Sequence, residues 1–237
     1  MGAEQEIRAY SQANKNYHTM RTLLFIFLFS AWGMSHAQDR LEPFKQYNED
    51  TALCLRFYRQ ELWSLLNPND AQWGVIKKPS LMTESSLTYD AENNKLIYTE
   101  IDGILWGNVC DATTKRVNDG ISISIIDLKE VNNYTAPKTK TVSMPVSKSM
   151  IKKLNKLWLA ALSKTAEFDL HVFDGTGYYL FADGKKAYTN GVKDDWVRVP
   201  RLQDLVDNLI KAVREQDKKM LKSQKKEIDE LYKLFVK

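Results

Sequence analysis

Apolar residues recur every three or four positions in three segments of the chain, the spacing that turns one face of a helix towards a core. The first segment covers Leu53–Leu65. The second covers Ile151–Leu162 and follows Ser147, a residue type that caps helix N-termini. The third covers Leu202–Val213 and follows Pro200, whose fixed φ suits a first helical turn. The sequence therefore predicts three amphipathic helices.

The lysine-rich segment 201–237 extends the third helix to the C-terminus, with a break or a projecting extension expected after Asp217, where apolar positions become sparse. Its lysines could attract an anionic membrane surface or nucleic acid. Acidic residues flank these lysines, several at spacings that allow ion pairs along a helix. We therefore interpret the tail as a solvated helix face and predict no nucleic-acid partner.

Alternation of apolar and polar residues marks the segments between the helices as strands. A hairpin is predicted from SLTYD, at residues 86–90, and KLIYTEI, at residues 95–101, which flank the turn AENN. Ile121–Ile125 alternates with serine and is expected to pair with KTKTVSM, residues 138–144. A three-stranded meander is predicted over residues 169–189. Its strands are DLHVF, YYLFA and AYT, and its turns are DGTG and DGKK.

The predicted order is helix, strands, helix, strands, helix, with short connections between strands. Short connections make antiparallel neighbours. We therefore expect an α+β fold in which an antiparallel sheet of hairpins and a meander packs against two to three helices. No Gly-, Ser- or Pro-rich linker divides residues 38–237, so we treat them as a single domain.

An export signal precedes that domain. The three parts of a secretory signal peptide occur in the expected order: a basic residue, Arg21, then the apolar run Leu23–Phe29, then the small residues Ser35 and Ala37. The run is too short to cross a bilayer, which takes roughly 20 apolar residues. We predict a signal peptide over residues 20–37 with cleavage after Ala37, a non-native upstream extension over residues 1–19, and a periplasmic or secreted product without a membrane span.

Cleavage would leave one histidine, His171, and two cysteines, Cys54 and Cys110. Hydrolytic zinc sites need two or three imidazoles and thiolate sites need clustered cysteines, so we predict no metal and no cofactor. After export, Cys54 and Cys110 are candidates for one disulfide. The alternative is two separate buried thiols.

A hydrolase built on one histidine is the alternative to a binding protein. His171 would act as the base, and Asp174 or Asp169 would orient it. No Gly-x-Ser-x-Gly nucleophile motif is present, and His171 lies between Leu170 and Val172 in a predicted strand, which favours a structural role. We do not expect an enzyme.

Aromatic residues near the predicted hairpins are the candidates for ligand binding. Trp196, Tyr178 and Tyr179 could stack on sugar rings, although packing in the core explains such residues equally well. With no catalytic set apparent, these rings favour a non-catalytic module that binds a protein or a glycan.

Three stretches carry a resemblance to known sequences. They are PSLMTESSLTYDAENNKL at residues 79–96, the helix containing Trp158, and FDGTGYYLF at residues 173–181 followed by Trp196. Over about residues 77–200 the chain resembles a group of uncharacterised exported proteins of Bacteroidetes with a domain of unknown function. The resemblance implies an α+β envelope protein and assigns no activity or catalytic residue.

Overall fold

The computed structural model describes residues 39–44, 53–80, 82–116, 122–124, 134–167, 175–190 and 196–237. The chain divides into two units, Met1–Asp39 and Arg40–Lys237, and the fold given below is that of the second. The predicted signal peptide, cleavage site and upstream extension lie outside the described residues, as does the predicted strand DLHVF.

The strands are β1 (Glu42–Pro43), β2 (Trp73–Pro79), β3 (Ser85–Asp90), β4 (Lys95–Ile101), β5 (Thr114–Arg116), β6 (Ser122–Ser124), β7 (Thr139–Pro145), β8 (Thr176–Ala182) and β9 (Lys185–Asn190). The helices are α1 (Leu53–Leu66), α2 (Leu105–Ala112), α3 (Lys148–Leu162), α4 (Arg198–Arg214), α5 (Lys218–Ser223) and α6 (Lys225–Val236).

Seven of the strands form one antiparallel sheet in the order β1-β9-β8-β2-β3-β4-β7. The central strand, β2, pairs with β8 on one side and with β3 on the other. β5 and β6 form a separate two-stranded sheet. The predicted α+β class with an antiparallel sheet packed against helices is confirmed.

Helices cover both faces of the sheet. Successive side chains of a strand point to opposite faces, so each central strand contributes to two cores. Val75 and Leu87 belong to the larger core, together with apolar residues of α3, α4 and α6. Ile76 and Phe181 belong to the smaller core, together with residues of α1 and α2.

α3 is held against the central strand by one tryptophan. Trp158 is fully buried, its Nε1–H donates to the carbonyl oxygen of Gly74 at 3.1 Å, and its ring lies 4.8 Å from that of Trp73 between centroids. The predicted cap is also present, because the Ser147 hydroxyl accepts from the N–H of Met150 at 3.3 Å. These contacts fix the rotation of α3 and leave its lysines on the outer side.

Several predicted elements are found at their expected positions. The first helix ends at Leu66, directly before the Asn-Pro pair. β3 and β4 form the predicted hairpin, with Asp90 opposite Lys95 at its turn end. β8 and β9 are joined by Asp183 and Gly184, whose φ angles of 47° and 76° match the tight turn that the Asp-Gly pair predicts.

Other predictions are wrong in pairing or incomplete. Within the described residues, β7 pairs with β4 and β6 pairs with β5, so the expected pairing of KTKTVSM with the alternating Ile/Ser segment is not found. Four elements, β1, β2, β5 and α2, were not predicted, and β1 and β5 have only two and three residues. β2 is covered on both faces and therefore lacks the polar alternation of a half-buried strand, and α2 is too short to display a helical period.

The lysine-rich tail is three helices, and the first interruption, at residues 215–217, lies close to Asp217, after which a break or a projecting extension was expected. α4 ends in a Schellman motif, in which Gln216 has a φ of 57° and the N–H of Asp217 donates to the carbonyl of Ala212 at 2.9 Å. The Asp217 carboxylate then caps α5 by accepting from the N–H groups of Lys219 and Met220.

The last helix returns to the domain and does not project from it. Ile228 and Leu231 of α6 are fully buried in the larger core. Arg201 of α4 makes two 2.8 Å hydrogen bonds to the Glu227 carboxylate and one of 3.0 Å to Glu230. The lysines of α5 stay exposed, so the helix face is solvated there as expected.

Candidate functional site

The three aromatic residues predicted to bind a ligand are buried. Trp196 and Tyr178 are each 5% exposed and Tyr179 is 6% exposed. The Tyr178 hydroxyl lies 3.1 Å from both carboxylate oxygens of Asp207, and the Tyr179 ring packs on Tyr188 with centroids 4.6 Å apart. These rings stabilise the core and offer no open face for stacking.

The predicted catalytic group cannot be placed from the structure, since His171, Asp169 and Asp174 all lie outside the described residues. The chain resumes at Gly175, which exchanges hydrogen bonds with Ser80: the Ser80 N–H donates to its carbonyl at 3.1 Å, and its own N–H donates to the Ser80 hydroxyl at 3.2 Å. Gly175 therefore enters the sheet at the start of β8.

A large open cleft lies at the other end of β8, and we call it the turn cleft. Its volume is about 970 Å³. Four elements line it: the α1–β2 connection at residues 69–73, the β3–β4 turn at residues 90–94, the β8–β9 turn at Asp183, and the first half of α3 from Lys148 to Asn155. The cleft therefore combines segments that are far apart in sequence.

The turns that line the cleft share an uncommon backbone conformation. Asp70, Asn94 and Asp183 have φ angles of 47°, 51° and 47°, and all three line the cleft. Asp and Asn tolerate this left-handed region better than other residues that carry a side chain. The Asp183 N–H also donates to the Gln72 carbonyl at 3.0 Å, which ties two of the turns together.

The β3–β4 turn is a braced wall of the cleft. The Asp90 carboxylate accepts from the side chain of Asn93 at 2.8 Å and from its N–H at 3.1 Å, and these hydrogen bonds lower the pKa of Asp90 below its usual value. The Tyr89 hydroxyl donates to Asn94 Oδ1 at 3.1 Å. The position of this wall is thus set before any ligand arrives.

Apart from Asp90, which accepts from Asn93, the charged side chains of the turn cleft lack partners among the described residues. Lys148 and Lys152 extend from the α3 wall, while Asp70, Glu92 and Asp183 extend from the turns. Across the described chain, none of these five makes a salt bridge or a side-chain hydrogen bond. Acidic and basic groups therefore line one cavity without neutralising each other by direct contact.

Two buried polar atoms in the lining also lack hydrogen-bond partners among the described residues: Nε1 of Trp73 and Oδ1 of Asn155. Nearly all buried polar groups in proteins are hydrogen-bonded, and leaving one unpaired costs about 1–3 kcal/mol. The lining of the turn cleft therefore holds hydrogen-bonding capacity that the protein itself does not use.

A smaller groove of about 460 Å³ lies at the opposite end of the sheet, and we call it the strand-end groove. Lys77 Nζ lies 2.8 Å from Asp207, which also accepts from Tyr178. On the other side of the groove, the Tyr98 hydroxyl donates to Glu100. Burial, together with Glu100, raises the pKa of Tyr98 to about 12. Here the charged groups are engaged with one another.

A third group of ionisable residues is enclosed beneath α1 and α2. Glu84 is 1% exposed, and its carboxylate accepts from the Tyr58 hydroxyl at 2.9 Å and from the N–H of Leu105 at 3.1 Å. Burial raises the pKa of Tyr58, and the adjacent Glu84 raises it further; burial lowers the pKa of Lys78. This group joins α1 to the first turn of α2, a structural role.

Cys54 and Cys110 are both free thiols, and each is half-buried. No group of three or more His, Cys, Asp or Glu side chains in the described part of the chain is arranged to hold a metal ion. Within the same residues, no helix has the length and apolar character needed to cross a membrane.

Sequence reasoning missed the turn cleft, although it recognised two of the turns that build it. Asn, Asp and Gly residues mark turns wherever they occur, and nothing in their identity shows which turns meet in space. The strand order, in which β8 and β3 flank β2, brings the three turns together.

Comparison of the chain with protein-family models, with curated proteins and with solved structures gave no match. The assignment of a function therefore rests on the geometry of this molecule.

Proposed function

We propose that this protein is a non-catalytic binding module of the cell envelope or the secreted fraction, and that its turn cleft binds a glycan. The observation that supports the proposal is the set of unpaired carboxylates, ammonium groups and buried polar atoms around one cavity of about 970 Å³. Clefts of this size are typical of small-ligand sites.

The chemistry of the lining favours a neutral, polyhydroxylated ligand. A hydroxyl group both donates and accepts hydrogen bonds. It can donate to Glu92 or Asp183 while an adjacent hydroxyl accepts from Lys152 or from an asparagine amide. A purely anionic ligand would meet the carboxylates of three turns, and a purely cationic one would meet Lys148 and Lys152. The hydroxyl groups of a sugar can form hydrogen bonds both with the carboxylates of the turns and with the lysines of α3.

The apolar contribution to binding is expected to be small. Trp73 is only 5% exposed, so its ring cannot carry a sugar on an open face. Affinity must come chiefly from hydrogen bonds made in competition with water, which contribute about 0.5–1.5 kcal/mol each. We therefore expect a Kd of about 0.1–1 mM for a short oligosaccharide.

The test is a glycan array probed at high protein concentration, with isothermal titration calorimetry of any glycan retained. A peptide array run in parallel addresses the other partner class. Saccharide binding with a stoichiometry of one supports the proposal. An array without any bound glycan, at protein concentrations that detect millimolar affinity, contradicts it.

The alternative function is a hydrolase that uses His171 with Asp174 or Asp169. It predicts that His171→Ala abolishes turnover of a bound glycan or ester while the melting temperature stays unchanged.

Export is a further part of the proposal. Cleavage after Ala37 predicts a mature N-terminus at Gln38, which an intact-mass measurement of the protein recovered from the producing cells would reveal.

A further inference from the structure

We propose that Cys54 and Cys110 form a disulfide that joins α1 to α2 and can be made and broken by thiol–disulfide exchange. This inference is independent of the turn cleft. The two thiols lie on helices that pack together over the smaller core.

The register of α1 against α2 brings the two cysteines together. The rings of Tyr58 and Trp106 meet edge to face, with centroids 5.2 Å apart. Cys54 lies four residues before Tyr58, and Cys110 lies four residues after Trp106. Residues four apart share a helix face, one turn or about 6 Å along the axis. When two helices run antiparallel, both steps lead in the same direction along their interface.

A second observation, taken with the Tyr58–Trp106 contact, indicates that α1 and α2 run in this way. The Cys110 thiol has a raised pKa, first because it is partly buried and second because it lies within the electrostatic reach of Cys54. The cysteines therefore approach each other one turn beyond the aromatic contact. The Glu84 carboxylate, which accepts from Tyr58 and from the N–H of Leu105, holds α1 against the first turn of α2 at the aromatic contact.

Each cysteine residue is half-buried, so neither is sealed within the core. In the first step, the thiolate of one cysteine attacks a sulfur atom of an external disulfide, such as that of a protein oxidant or oxidised glutathione. This forms a mixed disulfide and releases one thiolate. In the second step, the other cysteine loses its proton and displaces the second external thiolate. The two external sulfurs gain the two electrons that the cysteines lose.

In the unfolded protein, the bond would close a loop from Cys54 to Cys110, which contains the residues of β2, β3 and β4. Closing a loop of that length lowers the entropy of the unfolded state and stabilises the folded state. We expect the oxidised protein to melt about 5–10 °C above the reduced protein.

The experiment equilibrates the full chain with mixtures of reduced and oxidised glutathione, traps free thiols by alkylation, and maps peptides without reduction. The expected result is a Cys54–Cys110 cross-linked peptide whose fraction rises with the oxidised share, together with the higher melting temperature. In the Cys54→Ser variant, Cys110 should stop at the mixed disulfide with glutathione, and the increase in melting temperature should disappear.

Two results would overturn the proposal. One is that both cysteines of the wild-type protein remain alkylatable, or carry only glutathione, at the most oxidising ratio. The other is that the only cross-link formed joins two chains. The matched Cys110→Ser variant keeps the test decisive if Cys54→Ser fails to fold.

Discussion

The two clefts at opposite ends of the sheet contain similar residues in different states of pairing. At the strand-end groove, Lys77 of the lining is paired with Asp207, which also accepts from Tyr178, and Glu100 of the lining accepts from Tyr98. In the turn cleft, Lys152 and Glu92 line the same cavity without a salt bridge to any described residue. Paired charges join α4 to the sheet, whereas unpaired charges on braced turns remain available to a ligand. We therefore assign a structural role to the groove, and the proposed binding site is the turn cleft.

The largest effect on stability is expected from Asp207→Ala. This change removes the acceptor of the buried Tyr178 hydroxyl and the partner of Lys77, and an unsatisfied buried group costs about 1–3 kcal/mol. Urea unfolding should show a loss in that range, with glycan binding unchanged. Asp204→Ala, on an exposed position of the same helix, is the control and should change the free energy of unfolding by less than about 0.5 kcal/mol. Equal losses in the two variants would show that the groove is not braced by Asp207.

The next effect is a loss of stability at alkaline pH that depends on Tyr98. Its pKa is raised to about 12 in the folded protein, above the usual value near 10, so the unfolded state loses its proton first. The contribution of Tyr98 is therefore complete below pH 10 and is lost as pH rises through about 12. Unfolding free energies measured from pH 9 to 12 should fall less steeply for Tyr98→Phe than for the wild-type protein. Parallel curves would contradict this role.

A smaller effect, of opposite sign, is expected in the turn cleft. Asn155→Leu replaces an amide whose buried oxygen has no described partner with an apolar group of similar size. Stability should stay the same or rise by up to about 1 kcal/mol, because an unsatisfied polar group is removed. Glycan affinity should fall in the same variant. A clear loss of stability would instead show that Asn155 is structural.

The sequence predicted most of the fold where one face of an element is solvated. β4 alternates between buried and half-buried residues, and the stripe that contains Trp158 identified α3. β3 was also identified although it is buried on both faces, because one of those faces carries polar Ser86 and Thr88. Prediction failed for β2, which lies between two helical layers. The thinning of apolar residues after Asp217 did indicate the break between α4 and α5, although the left-handed conformation of Gln216 that forms this break was not predicted.

The ligand site was harder to predict than the fold. Tyr178 and Tyr179 were candidates because they follow a turn, but they lie on β8, an inner strand covered on both faces, and are therefore buried. The groups that line the turn cleft are ordinary turn and helix-surface residues. Only the strand order brings them together.

The most direct test of the account compares two neighbouring lysines of α3. Lys152 lines the turn cleft, whereas Lys156, one turn later, is exposed outside it. Calorimetric titration with a glycan retained by the array should show affinity reduced about three- to tenfold for Lys152→Gln, consistent with one lost hydrogen bond, and unchanged for Lys156→Gln. Equal affinity in both variants and the wild-type protein would contradict the assignment of the turn cleft as the binding site.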